Sequence, residues 1–231
     1  MRLPVHVYVL LALGAAMSIA GCGRAKGGEV ATVNAGGEIV VAALGDSINA
    51  GSPAWDPDPA VRATIGDALD PQSQWEYWAA QADPRLRFRN CGVYGERTDQ
   101  IAKRLAACAA GADVLVVQGG INDIAQDRDV EEAAEDLRGM VRRGKELGLR
   151  VTIANVLPWN RRWPHAVEQI NQLNELIEEL AGEENVRVLP FYATLERSAA
   201  DGRMPEPWTS DGDHPSVEGY RRLGELAFRL P

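Results

Sequence analysis

From residue 38 onward the chain alternates short β-branched runs with longer amphipathic stretches, and this alternation constrains its fold more than any other feature. The expected strands are Ile39–Leu44, Leu86–Asn90, Val114–Gln118, Arg150–Asn155 and Val186–Leu189. Three of them are nearly continuous apolar runs, the pattern of parallel strands buried on both faces. Helices are expected near 74–82, 98–108, 130–147, 165–181 and 216–229. In the fourth of these, Val167, Ile170, Leu173, Asn174, Ile177 and Leu180 recur at helical spacing and mark a core-facing stripe. Pro164 and Pro215 sit just ahead of the last two helices, where a proline costs no hydrogen bond. Alternation of this kind predicts a three-layer α/β domain around a parallel sheet. Ligand sites in such sheets lie beyond the carboxyl ends of the strands.

The polar residues fall where that rule directs. Gly45-Asp46-Ser47-Ile48 follows the first strand, and Asn90-Cys91-Gly92-Val93-Tyr94-Gly95 follows the second. Gly119-Gly120-Ile121-Asn122-Asp123 follows the third, and Asp211-Gly212-Asp213-His214-Pro215 precedes the last helix. These residue types suit acyl transfer. A serine hydroxyl becomes a useful nucleophile when an imidazole takes its proton, and that imidazole needs a carboxylate to hold its tautomer. Asp211 and His214, three apart in a turn, can pair through Nδ1 and leave Nε2 for Ser47. The oxyanion of a tetrahedral intermediate needs donors. The N–H groups of Ser47 and Gly95 and the side-chain amide of Asn122 can supply them.

These four blocks, in this order, resemble the SGNH hydrolases, also called the GDSL esterases and lipases. The resemblance spans nearly all of residues 39–228. It implies a flavodoxin-like three-layer α/β/α sandwich whose five-stranded parallel sheet has the order 2-1-3-4-5. It also implies Ser47 as nucleophile, Asp211 and His214 as its partners, and Ser47, Gly95 and Asn122 as the oxyanion hole. No metal or other cofactor is implied. Ile48 stands where the commonest family form has leucine. The G-x-S-x-G elbow of α/β-hydrolases is absent around Ser47. Asp46 and Asp123 read as structural, bonding loop amides around the site, and Asp213, next in sequence to His214, is expected to point elsewhere than at the ring and leave Asp211 as its partner.

Ahead of the domain, residues 1–21 read as a signal peptide. Arg2 supplies a short basic region and Val7 to Ala16 an apolar run too short for a comfortable bilayer span. Ile19-Ala20-Gly21-Cys22 resembles the lipobox of bacterial lipoproteins, which implies lipidation at Cys22; an ordinary secretory signal and an uncleaved anchor are the alternatives. Residues 22–37, glycine-rich and without a hydrophobic period, read as a lipidated tether. Residues 38–231 then form the hydrolase domain, held outside the cytoplasm on a bacterial membrane by its lipid. A formal charge of −9 disfavours nucleic acid as a partner. The oligomeric state has no signal in the chain.

Three features remain open. Cys91 and Cys108 can come level across a strand and its returning helix and pair, or one can serve as a reactive thiol at the cleft. Trp159 and Trp163, with Asn160, Arg161 and Arg162, follow the fourth strand. They either wall the substrate pocket, with an arginine meeting an anionic substrate, or form a solvated loop, and His165 reads as a surface residue. The proline- and aspartate-rich segment 52–73 is expected to be a loop near the mouth. The expected activity is hydrolysis of a small-molecule, glycan or lipid ester. Acyl transfer to another acceptor and non-catalytic ligand binding are the alternatives.

Overall fold

The computed structural model describes residues 37–162, 165–196 and 201–231. The expected signal peptide, Cys22, the expected tether through residue 36, Trp163 and Pro164 lie outside the described residues. Among those described, no helix is long and apolar enough to cross a membrane.

In chain order the elements are β1 (Ile39–Gly45), α1 (Ser47–Ala50), α2 (Pro59–Ile65), α3 (Trp75–Ala82), β2 (Leu86–Gly92), α4 (Thr98–Ala109) and β3 (Val114–Val117). Next come α5 (Ile121–Ala125), α6 (Val130–Glu146), β4 (Arg150–Ala154), α7 (Val167–Glu184), β5 (Arg187–Leu189), α8 (Phe191–Leu195) and α9 (Val217–Arg222). The last helix is shorter than its sequence suggests: α9 passes into a single π-helical turn over Leu223–Ala227. The segment 52–73 is also more ordered than expected. It contains α2, entered at Pro59 and capped by Asp58, whose carboxylate accepts the Ala60 N–H.

All strand pairings are parallel, in the order β2-β1-β3-β4-β5. Register obeys side-chain alternation. Val41, Ala43, Val114 and Val116 face one layer, and Ala42, Leu44, Leu115 and Val117 face the other. On the second side α4, α6 and α7 contribute Ile101, Leu105, Leu137, Met140, Ile170, Leu173 and Ile177 to the core. On the first side α3, α8, α9 and the π turn contribute Trp75, Phe191, Tyr220 and Leu223. Both faces of the sheet are thus covered, which explains why its strands read as unbroken apolar runs. The chain turns from β2 back across β1 to reach β3, so the ends of β1 and β3 open a crevice between them.

Cys91, at the end of β2, is disulfide-bonded to Cys108 in the last turn of α4, with Cα atoms 6.1 Å apart. Closing a loop of this length removes about 3 kcal/mol of conformational freedom from the unfolded chain. It also clamps the loop over residues 93–97 that leads toward the site.

One buried group works against the fold. Glu76 in α3 is 3% exposed, and its oxygens meet no donor outside their own residue. Burial pushes its carboxyl well above the usual value of 4.5. In the unfolded chain Glu76 ionises near pH 4.5, whereas the folded protein holds the proton, so its contribution to stability falls as pH rises above that point. Glu76→Met is therefore expected to stabilise the protein at pH 8 by about 1–3 kcal/mol, with less gain at pH 4. Urea denaturation at the two values measures this, and an equal or negative shift at pH 8 contradicts it.

Candidate active site

The site begins at the tight end of β1. Asp46 caps α1, its carboxylate accepting the Ile48 N–H at 2.9 Å, and so Ser47 becomes the first residue of a four-residue helix. A first-turn N–H has no acceptor inside its helix, which leaves the Ser47 amide available. The Asp46 N–H donates to the Gln118 side chain at the end of β3, tying the two strand ends together. Asp46 is fully buried, with one oxygen unpartnered. Burial, opposed by the Ile48 and Gln118 hydrogen bonds, raises its carboxyl from 3.8 to about 6.

Ser47 is held from behind by residues whose roles have no local pattern. Asn49 accepts the indole N–H of Trp75 at 3.0 Å. Gly92 lets β2 lie against α1: a Cβ there would come within 2.0 Å of the Ala50 nitrogen. Arg104 reaches from α4 to the carbonyls of Cys91 and Gly45 and to the Glu96 carboxylate, joining β1, β2 and the loop between them. Each of these contacts joins residues too far apart in sequence for periodicity to reveal.

Across the crevice, His214 comes from the loop ahead of α9. Its Nε2 lies 3.1 Å from Ser47 Oγ and its Nδ1 lies 2.9 Å from Asp211 Oδ2. Asp211 also accepts the backbone N–H groups of Asp213 and His214, a turn that presets the imidazole. Burial pushes the Asp211 carboxyl up, but these hydrogen bonds, the His214 ring first, hold it below its ordinary value. Asp211 is thereby kept as an anion beside the ring. Tyr94, two-thirds exposed, stacks on His214 with ring centres 5.8 Å apart. Ser47, His214 and Asp211 thus form one connected hydrogen-bonded series across the crevice.

Asn122, in α5, lines the same pocket. One amide hydrogen goes to the Glu96 carbonyl at 3.0 Å, and the group has a second to give. Gly95 lies between Tyr94, which lines the pocket, and Glu96; its φ of +76° is a conformation that favours glycine. A Cβ at Gly95 would meet open space, so the backbone angle is the reason for glycine here, not crowding. Asp123 does bond loop groups as expected. It accepts from Thr98 and from Arg128, which also reaches Asp136, and so pins α5 to α4 and α6.

The pocket around Ser47 measures about 200 Å³ and is walled by Ile48, Tyr94, Ile121, Asn122, Ala125, Trp159, Asp213 and His214. Asp213 turns to Trp159 and Arg161 and leaves the His214 ring to Asp211: it lines the pocket and accepts the Trp159 indole N–H at 2.6 Å, while its other oxygen pairs with Arg161 at 3.1 Å. Segment 52–73 contributes none of the lining. Trp159 is a wall of the pocket and is 7% exposed; Arg161 and Arg162 line a neighbouring pocket. Asp211, Asp213 and His214 bring possible metal-ligand atoms within 4.8 Å of one another. Those atoms are already engaged with Ser47, Trp159, Arg161 and each other.

Comparison with known proteins gives a consistent result. No curated protein matches the chain. Among solved structures, a G-D-S-L family protein from Desulfitobacterium hafniense superposes with a TM-score of 0.67 at 21% identity, covering 81% of this chain and 97% of its own. A GDSL-like lipase from Bacteroides thetaiotaomicron gives 0.64 at 19% identity, with 83% and 86% covered. An acetylxylan esterase from Geobacillus stearothermophilus gives 0.63 at 21% identity, with 81% and 91% covered. These likenesses carry the fold. A family model for the GDSL-like lipases and acylhydrolases matches residues 43–222, from the strand before Ser47 to the end of α9, and the chain belongs to that family.

Proposed function

We propose that the protein is a serine ester hydrolase that cleaves carboxylic esters with short acyl groups. The observation that carries this reading is the hydrogen-bonded series Ser47–His214–Asp211 inside a pocket of only about 200 Å³. Ligand pockets for drug-sized molecules run to about 300–1,000 Å³, so little room remains beside the reacting carbonyl.

Ser47 Oγ attacks the ester carbonyl as His214 Nε2 takes its proton. The ionised Asp211 holds the ring's other nitrogen protonated and stabilises the cation that forms. The oxyanion is met by the N–H groups of Ser47 and Gly95 and by the second amide hydrogen of Asn122. His214 then returns the proton to the leaving alcohol. Water enters on the same path, and its attack on the acyl-serine frees the acid.

The leader and the lipobox-like Cys22 support an exported protein held at a membrane by lipid, where acylated sugars and lipids are within reach. The signal-less domain is expected to hydrolyse p-nitrophenyl acetate with a kcat/KM at least about tenfold above that for the octanoate, since added methylenes have no room. Equal or better turnover of the octanoate would overturn the short-acyl reading.

A further inference from the structure

Beside the catalytic pocket lies a second one of about 390 Å³, lined by Ile124, Asp127, Arg161, Arg162, His165 and Gln169, among others. The two share a ridge. Arg162 donates to the Ala125 carbonyl at 2.8 Å and lies over the Trp159 ring, and both Ala125 and Trp159 wall the catalytic pocket. Arg161 is bonded to Asp213, the neighbour of His214. A route of contacts thus runs from His214 through Asp213 to Arg161 and the second pocket.

The direction of the chemistry decides which part of a substrate takes that route. His214 must protonate the leaving alcohol, so the alcohol oxygen lies against Nε2 and the remainder of the alcohol extends from there. The first pocket, of about 200 Å³, leaves little room for it beside the acyl group. The second offers two guanidinium groups with five donors each; among the described residues, Arg161 gives one to Asp213 and Arg162 one to the Ala125 carbonyl. Ala166 and Gln169, at the entry of the 18-residue helix α7, also line this pocket, and the Ala166 N–H is bonded to the Arg162 carbonyl. Asp127 lies 4.0 Å from Arg162 and is almost wholly exposed, so it screens the site only from its rim. On a chain of net charge −9, two adjacent arginines line a cavity beside the catalytic one, with Asp213 against Arg161 and Asp127 at the edge of Arg162.

We infer that the second pocket binds an anionic group, a carboxylate or a phosphate, carried on the alcohol part of the ester. This rests on the ester-hydrolase reading and narrows its substrate class to acylated acidic sugars or polyol phosphates. Arg162 would grip the anion through a forked pair of hydrogen bonds, and Arg161 would add charge while keeping Asp213 in place.

Two matched pairs test it and separate the sources: acetylated galacturonate against acetylated galactose, and acetylglycerol phosphate against acetylglycerol. The wild-type protein is expected to favour the anionic member of at least one pair by about tenfold in kcat/KM, with the preference shrinking as salt rises. Arg162→Gln, and more fully Arg161→Gln with Arg162→Gln, should bring that ratio toward one; the neutral ester calibrates each protein. Hydrolysis with a wild-type ratio near one, or a ratio the variants do not move, overturns the inference and leaves the hydrolase reading standing. If none of the four is hydrolysed while p-nitrophenyl acetate is, the inference falls and the hydrolase reading stands; if p-nitrophenyl acetate is also left intact, the hydrolase reading falls. The pocket is then judged by titrating free galacturonate or inorganic phosphate into Ser47→Ala: binding lost with Arg162→Gln supports the anion site, and no binding overturns it.

Discussion

Ser47→Ala is expected to lower kcat/KM toward p-nitrophenyl acetate by about 10⁴-fold or more, the scale seen when a nucleophile acting as one unit with its base is removed. The loss is in the chemical step. Ser47 is buried, and its Oγ makes a hydrogen bond with His214 Nε2, so alanine deletes the attacking atom and leaves a small apolar methyl in its place. The His214–Asp211 pair remains linked through the other ring nitrogen, and α1 keeps its Asp46 cap. Thermal unfolding of the variant should therefore stay close to wild type. His214→Ala should cost nearly as much, and the double variant scarcely more, because the two residues perform one step. A Ser47→Ala rate within tenfold of wild type would sink the assignment.

The second large effect is on stability. Trp75→Ala is expected to cost about 3–5 kcal/mol, read as a fall in the urea midpoint. Trp75 is completely buried, with the rings of Phe88, Phe191 and Phe228 at 5.3, 5.9 and 5.3 Å. Its removal opens a cavity between β2, α8 and the chain's C-terminal segment, three parts that share no covalent neighbour. Trp75→Phe separates packing from hydrogen bonding. It keeps a ring but removes the N–H that Asn49 accepts, leaving a buried oxygen unpaired at a cost of about 1–3 kcal/mol. Because Asn49 shares the short helix α1 with Ser47, the phenylalanine variant should also lower kcat. Full stability in Trp75→Ala would contradict this picture of the core.

Much of the fold is legible in the sequence because the sheet is parallel and covered on both sides. Val114–Val117 and Ile39–Leu44 are apolar without interruption, and no exposed face dilutes the signal. The strand order comes from the resemblance, since five parallel strands can be arranged in several ways by pattern alone. The site residues are legible as small motifs: Ser47, Asn122, Asp211 and His214 each sit in a short block at a strand end or turn. What the sequence hides is long-range. Arg104 spans 59 positions to reach the Gly45 carbonyl, and Trp75 spans 26 to reach Asn49. Neither leaves a local trace, because a buried tryptophan and a helical arginine look the same whatever they touch. The partners of Asp213 are hidden for a related reason: a tight turn folds Asp211 and His214 together, and Trp159, from another loop, donates to the Asp213 carboxylate.

Ser47 and His214 are 167 positions apart, near opposite ends of the described domain. Such a pair cannot meet until the intervening sheet has closed and the C-terminal segment has docked. On the proposed mechanism, a partly synthesised, truncated or unravelled chain therefore carries a nucleophile without its base. Reactivity toward esters arrives only with completion of the whole domain, so the appearance of turnover during refolding marks the moment at which the last helix finds its seat.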